Sequence, residues 1–507
     1  MKLNLPTIKS ALIRMIPLPF NHKIAISTMG IVLATSHGVA VAADSIMLNT
    51  TPTRLESVNA PTASLATAKQ DSDIARQANK SYLIPAIEIV GFDLLLNQYN
   101  RRFSGSSDYD ANFSSIRNNL SSSWNNDKDP FKTNQLGHPY QGSMYYGFAR
   151  SAGLSYWESL GYTAAGSAFW EIAGEKLPPS KNDMIYTTIG GSFLGEALFR
   201  MSNLILEKGG DRPSLWRETG AAIVSPASGF NRHAFSDRFD SIFASNDAAY
   251  YSRMQFGVSN TVKGDPNQPA EIKRNDVQLD FLIDYGMPGQ PGYVYKRPFD
   301  YFVFQGTASS ANILENVMTR GLLLGSDYAI GENYRGIWGL YGSYDYISPQ
   351  TFRVSSTALS LGSTGQVWLS ESIALQGTLL AGLGYAAVGS IKAKSEEDYH
   401  YGLAPQALAA LRLVIGKKIS LDLTGREYFV NNINDSINSR GGHDNIVRAD
   451  TALTYRIHKQ HALSIKYQWN QRDATIPALG DKKQVTGTLG IYYTILGQDG
   501  MGAIDWR

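Results

Sequence analysis

The feature that most constrains the fold is an alternation of apolar and polar residues that runs through the second half of the chain. From Tyr250 almost to the end the period is two, as where Val277, Leu279 and Phe281 alternate with Gln278 and Asp280. Successive side chains of a β-strand point to opposite faces. The pattern therefore predicts strands with one apolar face and one wet face.

These runs predict about twelve strands, an even number as expected for a bacterial outer-membrane barrel. Tight turns at 370–371, 417 and 459–460 alternate with long polar loops at 392–402, 431–445 and 473–483. Short turns at one mouth and long loops at the other are typical of membrane barrels. The fold class predicted is α+β: an N-terminal helical domain followed by an antiparallel transmembrane β-barrel over 250–496, with both barrel ends on the periplasmic side.

A secreted β-sandwich or a soluble barrel is the alternative, because both also alternate. Strand lengths near the roughly 9 to 11 residues of a tilted membrane strand favour the membrane barrel. Aromatic residues near strand ends are expected to form its interfacial girdles: Tyr341, Tyr344, Tyr346, Tyr428, Phe429, Tyr455, Tyr467, Trp469, Tyr492 and Tyr493. Two features fit this predicted topology poorly. The linker at 287–297 is long for a connection on the periplasmic side, and a Gly-rich tail at 497–507 follows the last strand.

Composition narrows the classes of function. The chain has 507 residues, a net charge of +2 and no cysteine. Disulfides, thiolate zinc sites and cysteine nucleophiles are thereby excluded. Basic residues do not cluster, so we expect no nucleic-acid partner.

The N-terminus predicts export. Residues 1–43 are typical of a signal peptide, with a basic leader, an apolar stretch from Ile24 to Val41 and small residues before Asp44. A single N-terminal membrane anchor is the alternative. Residues 44–80 are interpreted as a flexible tether. The expected location is the cell outer membrane, reached through the periplasm, with membrane lipids, lipopolysaccharide and the barrel-assembly machinery as partners.

Residues 81–210 predict a helical domain, followed by a linker at 211–249. Apolar residues recur at spacings of three and four, as at Leu83, Ile87, Val90 and Leu94. The charges within this run argue against a spanning helix. A bore of about twelve strands admits one helix of about 10 to 12 Å diameter. We therefore expect the domain to cap the barrel in the periplasm or to plug it in part.

The helical domain also carries the most specific sequence motifs. They are Gly137-His138-Pro139-Tyr140-Gln141-Gly142-Ser143, Ala149-Arg150-Ser151, Gly153-Leu154-Ser155, Trp157-Glu158-Ser159, Phe169-Trp170-Glu171, Gly174-Glu175, Pro179-Ser180-Lys181-Asn182-Asp183 and Gly195-Glu196. This string resembles the bacterial family catalogued as domain of unknown function 3943. The resemblance implies a Gram-negative envelope protein with a downstream barrel, and it implies no established activity.

The wet face of the strands supplies candidate lumen-lining residues of both signs. They are Arg253, Asp280, Asp284, Arg320, Asp422, Arg426, Arg448, Asp450, Lys466 and Arg472. Because acids and bases are mixed, they can pair across the interior. Two interpretations stay open: a salt-bridge network that fills the bore, or an ion-selective pore.

The carboxylates of the helical domain are the second group of candidates. Glu171 and Glu175 lie four residues apart near a helix end, where they repel each other and the dipole disfavours them. With His138, Glu158 and Glu196 they could pair with cations, or bind a divalent metal, for which the candidates are His138, Glu171, Glu175 and Glu196. No other cofactor is predicted. Ser180 and Asp183 fit a helix capping box, with catalysis as the alternative for Asp183.

The leading functional hypothesis is a non-catalytic envelope role, either structural or the passage of small solutes gated by the helical domain. The alternative is an outer-membrane lipid hydrolase with His138 as base, Ser143 as nucleophile and Glu158 or Glu171 as orienting group. The sequence lacks a Gly-x-Ser-x-Gly elbow. A periplasmic binding module is a third possibility.

Overall fold

The computed structural model describes residues 79–507, apart from 128, 211, 266–267, 350–351, 391–398, 433–441 and 477–479. The predicted signal peptide at 1–43 and nearly all of the predicted tether lie outside the described residues. Among the residues described, no helix combines the length and the apolar content needed to cross a membrane.

Twelve described strands form one closed antiparallel barrel, in which each strand pairs with its neighbours in sequence and β1 pairs with β12. The strands are β1 Tyr250–Asp265, β2 Gln268–Tyr285, β3 Phe302–Ser309, β4 Asn316–Ile330, β5 Tyr334–Ile347, β6 Phe352–Ser370, β7 Ile373–Ser390, β8 Tyr399–Ile415, β9 Ile419–Asn432, β10 His443–His458, β11 His461–Ile476 and β12 Gly480–Leu496.

The helical domain precedes the barrel. Its helices are α1 Leu83–Phe103, α2 Phe113–Ser121, α3 His138–Ser151, α4 Tyr156–Phe169, α5 Lys181–Ile185, α6 Gly191–Glu207, α7 Leu215–Val224, α8 Pro226–Ala234 and α9 Ser236–Phe239. Three π-helical turns, Thr133–Gly137, Trp170–Gly174 and Tyr186–Gly190, adjoin α3, α4 and α6. Helices therefore extend beyond residue 210, into the segment that the sequence predicted as a linker.

The barrel has two different mouths. The near mouth is the one where β1 begins and β12 ends. Its connections include 371–372, 416–418 and 459–460, which are only two or three residues long. The exception is the connection between β2 and β3, residues 286–301. The far mouth carries the connections that contain 391–398 and 433–441. Both barrel ends thus lie at the mouth with the short turns, the periplasmic one in outer-membrane barrels.

Contacts between distant strands identify the inward face of the barrel wall. Arg426 on β9 reaches Asp345 on β5 at 3.0 Å, and Arg253 on β1 reaches Asp422 on β9 at 3.2 Å. Residues at alternate positions therefore point outward, and they include exposed apolar side chains such as Leu379 and Ile465. A closed barrel with a charged interior and an apolar exterior is that of an outer-membrane protein. The predicted fold class is confirmed, and the chain is an outer-membrane β-barrel protein.

The helical domain packs on the outer wall of this barrel. Because Asp345 points inward, Tyr344 points outward, and its hydroxyl donates to the carbonyl of Gln135 at 2.6 Å. Likewise, the Tyr186 hydroxyl donates to the carbonyls of the outward residues Ser355 and Tyr385, at 3.1 Å each. The helices described do not occupy the lumen, so the plug expectation is wrong.

The predicted aromatic girdles are also wrong in part. Tyr341, Tyr428 and Tyr492 lie at inward positions, where the Tyr428 hydroxyl donates to Asp345 at 2.7 Å. Tyr344 and Tyr346 point outward but are buried under the helical domain. Tyr455, Tyr467 and Tyr493 remain exposed on the outer wall. The alternation alone does not show whether an aromatic ring points into the lumen, lies under the helical domain or is exposed on the outer wall, because an aromatic ring is compatible with all three environments.

Close helix crossing makes the domain compact. A Cβ at Gly142 of α3 would lie 1.9 Å from the carbonyl oxygen of Thr187, and one at Gly191 of α6 would lie 2.7 Å from the Cα of Gly142. Glycine is therefore required where these helices cross. The outcome agrees with the interpretation that small residues allow close backbone approach.

Candidate functional site in the barrel lumen

Charged side chains form a belt across the middle of the lumen. Asp422 accepts from Arg253 at 3.2 Å and from Arg412 at 2.6 Å, and so joins β1, β8 and β9. Asp280 on β2 faces Lys466 on β11 at 3.6 Å. Opposite charges in a low-dielectric interior attract strongly only when their geometry is good. The belt thus holds the barrel section together and keeps charge inside it.

A cavity of about 100 Å³ lies within this belt. Cationic side chains outnumber carboxylates among its charged lining residues, which are Arg253, Asp284, Arg320, Arg412, Asp422, Arg426, Asp450 and Lys466. Several of their polar atoms are buried and unpaired, including Arg320 Nε, Arg412 Nη1 and Asp284 Oδ1. Buried polar atoms without a partner are costly unless water or a solute pairs with them. The cavity therefore suits a hydrated or polar occupant.

The structure places all ten predicted lumen-lining residues at inward positions. Seven of them line the cavity just described, and an eighth, Asp280, pairs with Lys466 of that lining. Arg426 pairs with Asp345, Arg448 with Asp450 at 3.2 Å, and Arg472 with Asp444 at 2.7 Å. Ion pairs and a cavity thus coexist, so the bore is neither completely filled by salt bridges nor freely open.

The C-terminal tail, residues 497–507, enters the near mouth. Gln366 of β6 donates to the Ile504 carbonyl at 2.6 Å and accepts from the Ile504 amide at 2.9 Å. Gln376 of β7 donates to the Gly502 carbonyl at 2.7 Å. Met501 and Gly502 are buried, with Gly502 packed against the inward ring of Tyr251. The tail therefore closes the lumen at this mouth, directly below the charged cavity, whose lining includes Gln366 and Gln376.

The end of the tail is fixed at the near mouth. The Trp506 indole donates to the Glu332 carbonyl at 2.9 Å, and the Arg507 guanidinium lies 3.8 Å from the Trp368 ring centre. Arg507 also donates to the carbonyls of Ser370 and Glu371. Polar contacts from two near-mouth turns thus anchor the tail.

Apolar side chains narrow the lumen toward the far mouth. Inward residues of β4 to β10 form one buried cluster: Met318, Ile347, Phe352, Val354, Ala386, Val388, Ala404, Tyr428, Val430 and Ile446. This far-mouth cluster lies beyond the charged belt. The lumen therefore has three layers: the tail, the charged cavity and the far-mouth cluster.

The carboxylates of the helical domain take separate partners. Glu171 accepts from the Ser180 amide at 2.7 Å, and Glu175 accepts from the Trp170 indole at 2.8 Å. Ser180 caps α5 by accepting from the Asp183 amide at 3.3 Å, but Glu171 supplies the return bond that the predicted capping box assigned to Asp183. Asp183 instead faces His138, with 3.8 Å between Oδ2 and Nε2.

Burial changes the acidity of these groups. It raises the pKa of Glu175 to about 8, and the nearby Glu171 adds to the effect. Burial also raises the pKa of Glu171 well above its ordinary value, with Asp183 contributing. Glu175 is therefore largely protonated at neutral pH, which removes much of the repulsion expected from the spacing of the two groups.

The predicted catalytic group is not assembled. The Ser143 hydroxyl donates to the Tyr140 carbonyl within its own helix at 2.6 Å. Glu158 forms the capping box of α4 with Ser155 and pairs with Lys80 at 2.7 Å. These partners satisfy Ser143 and Glu158 in structural roles. Among the described contacts, His138 pairs with Asp183 and not with Ser143.

The predicted metal group is not assembled either. Glu196 lies between Arg150 and Arg200, at 2.9 and 2.7 Å, and also accepts from the Tyr146 hydroxyl. It is thus part of a buried ion network away from His138. Within the part of the chain that the structure describes, no three His, Asp or Glu side chains are placed to hold a metal ion.

Two features of the lumen have no counterpart in the sequence interpretation. The Gly-rich tail has no period that would predict its place in the bore. The far-mouth cluster consists of apolar residues on the face expected to be wet. A reversed phase of the alternation at the start of β6, where Phe352 and Val354 point inward and Arg353 and Ser355 outward, was the available signal.

Comparisons with known proteins find solved structures that match the chain at low similarity. The solved structures that match include the NanC porin, with 8% identity over 47% of this chain and 98% of that chain at a TM-score of 0.25. The outer-membrane channel DcaP of Acinetobacter baumannii matches with 8% identity over 49% and 97%, at a TM-score of 0.22. The translocator domain of autotransporter NalP from Neisseria meningitidis matches with 13% identity over 53% and 95%, at a TM-score of 0.22.

No curated protein matches the chain. A family model does match, over residues 123–227, which cover α3 to α7 and the π-helical turns between them. This segment contains the motifs from Gly137 to Glu196 on which the resemblance was based. Residues 123–227 therefore match the family described as domain of unknown function (DUF3943).

Proposed function

We propose that this protein is an outer-membrane channel for small polar solutes, and that its C-terminal tail is the gate. The observation that carries the proposal is the docking of Gly502 and Ile504 on the inward glutamines Gln366 and Gln376. The tail covers the near mouth through a few hydrogen bonds and one small apolar cluster. Such a contact can be released without disturbing the barrel wall.

The cavity above the tail supports a polar solute. Its wall carries five cationic and three anionic side chains, which can exchange ion pairs among themselves for hydrogen bonds to a passing solute. Arg320 Nε and Arg412 Nη1 are oriented for such bonds, because neither has a protein partner. The gate in this proposal is the tail, and it replaces the helical domain in the role that the sequence suggested.

Conductance in planar lipid bilayers tests the proposal. The full chain is compared with a variant that lacks residues 498–507 and with the double variant Gln366→Leu, Gln376→Leu. Both variants are expected to conduct several-fold more than the full chain, because the near mouth is then open. Heat-modifiable migration on a gel checks that each barrel is folded.

Gln406→Leu is the matched control. Gln406 is also an inward glutamine, but it bonds to Ser356 at 2.8 Å and does not touch the tail. Its replacement should leave the conductance at the level of the full chain. The gating proposal fails if folded tail variants conduct no more than the full chain or the Gln406→Leu barrel.

A further inference from the structure

We propose that the helical domain lies within the hydrocarbon layer of the outer membrane, beside the barrel, and that lipid acyl chains cover its outer face. This arrangement differs from a periplasmic cap and from a plug. It is independent of the channel proposal, since it concerns the outside of the wall.

The first support is the apolar outer face of α1. From Leu83 to Leu95 its exposed side chains are apolar: Leu83 is 69% exposed and Leu95 is 73% exposed, with Ile87, Val90 and Leu94 between them. Its buried face is mixed, because Pro85 and Ile89 are buried beside polar groups. Asp93 is buried and accepts from the Tyr145 hydroxyl, and Asn100 is also buried.

A helix at the surface of a water-soluble domain presents polar residues to solvent. Exposed apolar area costs about 25 cal/mol per Å² in water, and this cost is absent in hydrocarbon. The apolar outer face of α1 is therefore favourable where lipid, not water, surrounds it.

The second support is the place of the domain along the barrel. At the near-mouth end, Arg200 of α6 pairs with Asp300 at 3.0 Å. At the far-mouth end, Gln135 donates to the hydroxyl of Tyr401, the third residue of β8, at 2.9 Å. The domain thus extends along the wall from one mouth to the other. It does not stand beyond either mouth, where a cap would lie.

The third support is continuity with the lipid-facing belt. On β5, the outward Trp338 is exposed while the outward Tyr344 is covered by the domain. The domain therefore occupies a part of the wall that would otherwise contact lipid, and its own outer face takes over that contact. Large exposed apolar residues occur on four other helices as well: Leu120, Trp157, Leu215, Trp216 and Phe230.

Site-directed fluorescence tests this placement, and the absence of native cysteine makes single labelling sites simple. The full chain is reconstituted in phosphatidylcholine vesicles with an environment-sensitive NBD label at Ile87→Cys or Leu94→Cys. Quenching is measured with doxyl groups on the acyl chains and with iodide in the water. Both labels are expected to be quenched by doxyl lipid and protected from iodide.

Two control sites define the quenching expected for a label in lipid and for a label in water. Ile465→Cys lies on the exposed outer wall of β11 and should report lipid. Lys417→Cys lies in an exposed near-mouth turn and should report water. The proposal is overturned if the labels on α1 behave like Lys417→Cys. It is also overturned if they are shielded from both quenchers, because a protein surface would then cover the face.

Discussion

Arg200 donates from Nη1 to Oδ1 of Asp300 at 3.0 Å, and this contact joins the helical domain to the connection between β2 and β3. Both side chains are buried, and Arg200 also donates to Glu196 at 2.7 Å. Asp300 additionally accepts from the amide of Arg297 at 2.7 Å. The length of this near-mouth connection, which fitted the predicted topology poorly, thus has a structural reason: it carries the docking site of α6.

The substitution Arg200→Met is expected to destabilise the helical domain by about 3 to 5 kcal/mol, because it leaves Asp300 and Glu196 short of a buried cation. The free energy of unfolding in detergent, followed by tryptophan fluorescence, measures the effect. Arg101→Met is the control, since Arg101 pairs with Asp110 at 3.2 Å on the surface. That loss should cost less than about 1 kcal/mol. Equal effects of the two substitutions would contradict the structural role of Arg200.

Gly142→Ala is expected to separate α3 from α6. Its Cβ would lie 1.9 Å from a backbone oxygen, and the backbone cannot move as a flexible side chain can. Gly161→Ala is the matched control, because no heavy atom lies within 4 Å of its Cβ. Alanine is favoured over glycine in a helix by about 1 kcal/mol. Thermal unfolding followed by circular dichroism should therefore show a lower midpoint for the first variant and an unchanged or higher one for the second.

Asp422→Asn should make the open barrel more selective for anions. The carboxylate of Asp422 neutralises Arg253 and Arg412 in the cavity, and the substitution leaves both guanidinium groups in excess. The reversal potential in a salt gradient, measured in the background that lacks residues 498–507, gives the selectivity. Asp473→Asn is the control, since Asp473 is exposed and lies 3.9 Å from Lys483 near the far mouth. An equal shift in both variants would argue against a selective belt.

Glu175→Gln should weaken the pH dependence of the helical domain. The pKa of Glu175 is raised to about 8 by burial, whereas the unfolded chain ionises this group near its ordinary value of 4.5. Stability is therefore lost as the pH rises between these two values, because only the unfolded state releases the proton. Glutamine cannot ionise, and its amide oxygen can still accept from Trp170. Unfolding midpoints at pH 5 and pH 8 should differ less in the variant than in the parent chain.

Glu371→Gln provides the comparison, because Glu371 lies exposed in a turn of the barrel. Its midpoints should follow the parent chain at both pH values. If Glu175→Gln behaves in the same way, the buried carboxyl does not govern the pH response.

The barrel could be predicted from the sequence because each strand carries its own evidence. Along β2, Asp280 and Phe281 point to opposite faces regardless of how the neighbouring strands pair. Odd or even position along a strand is therefore enough to assign residues to the two faces of the wall. The partners across the lumen could not be predicted. Whether Arg426 meets Asp345 or another acid depends on the stagger between strands, which is a property of the closed barrel.

The position of the helical domain could not be predicted for a different reason. A stripe such as Leu83, Ile87 and Leu94 indicates a helix, but it does not say whether the stripe faces a protein core or lipid. The spacing of Glu171 and Glu175 likewise suggested one joint site, whereas each takes its own partner from another element, the Ser180 amide and the Trp170 indole. Side-chain direction relative to the barrel wall decides both questions.

The seat of the C-terminal tail is built from residues far apart in the chain, with Tyr251 from β1, Gln366 from β6 and Gln376 from β7. These residues surround one opening only after the first and last strands have joined. Insertion of the tail must therefore be a late event in barrel formation, and a seam parted between β1 and β12 would release it. The same tail that closes the near mouth therefore docks only on a complete barrel.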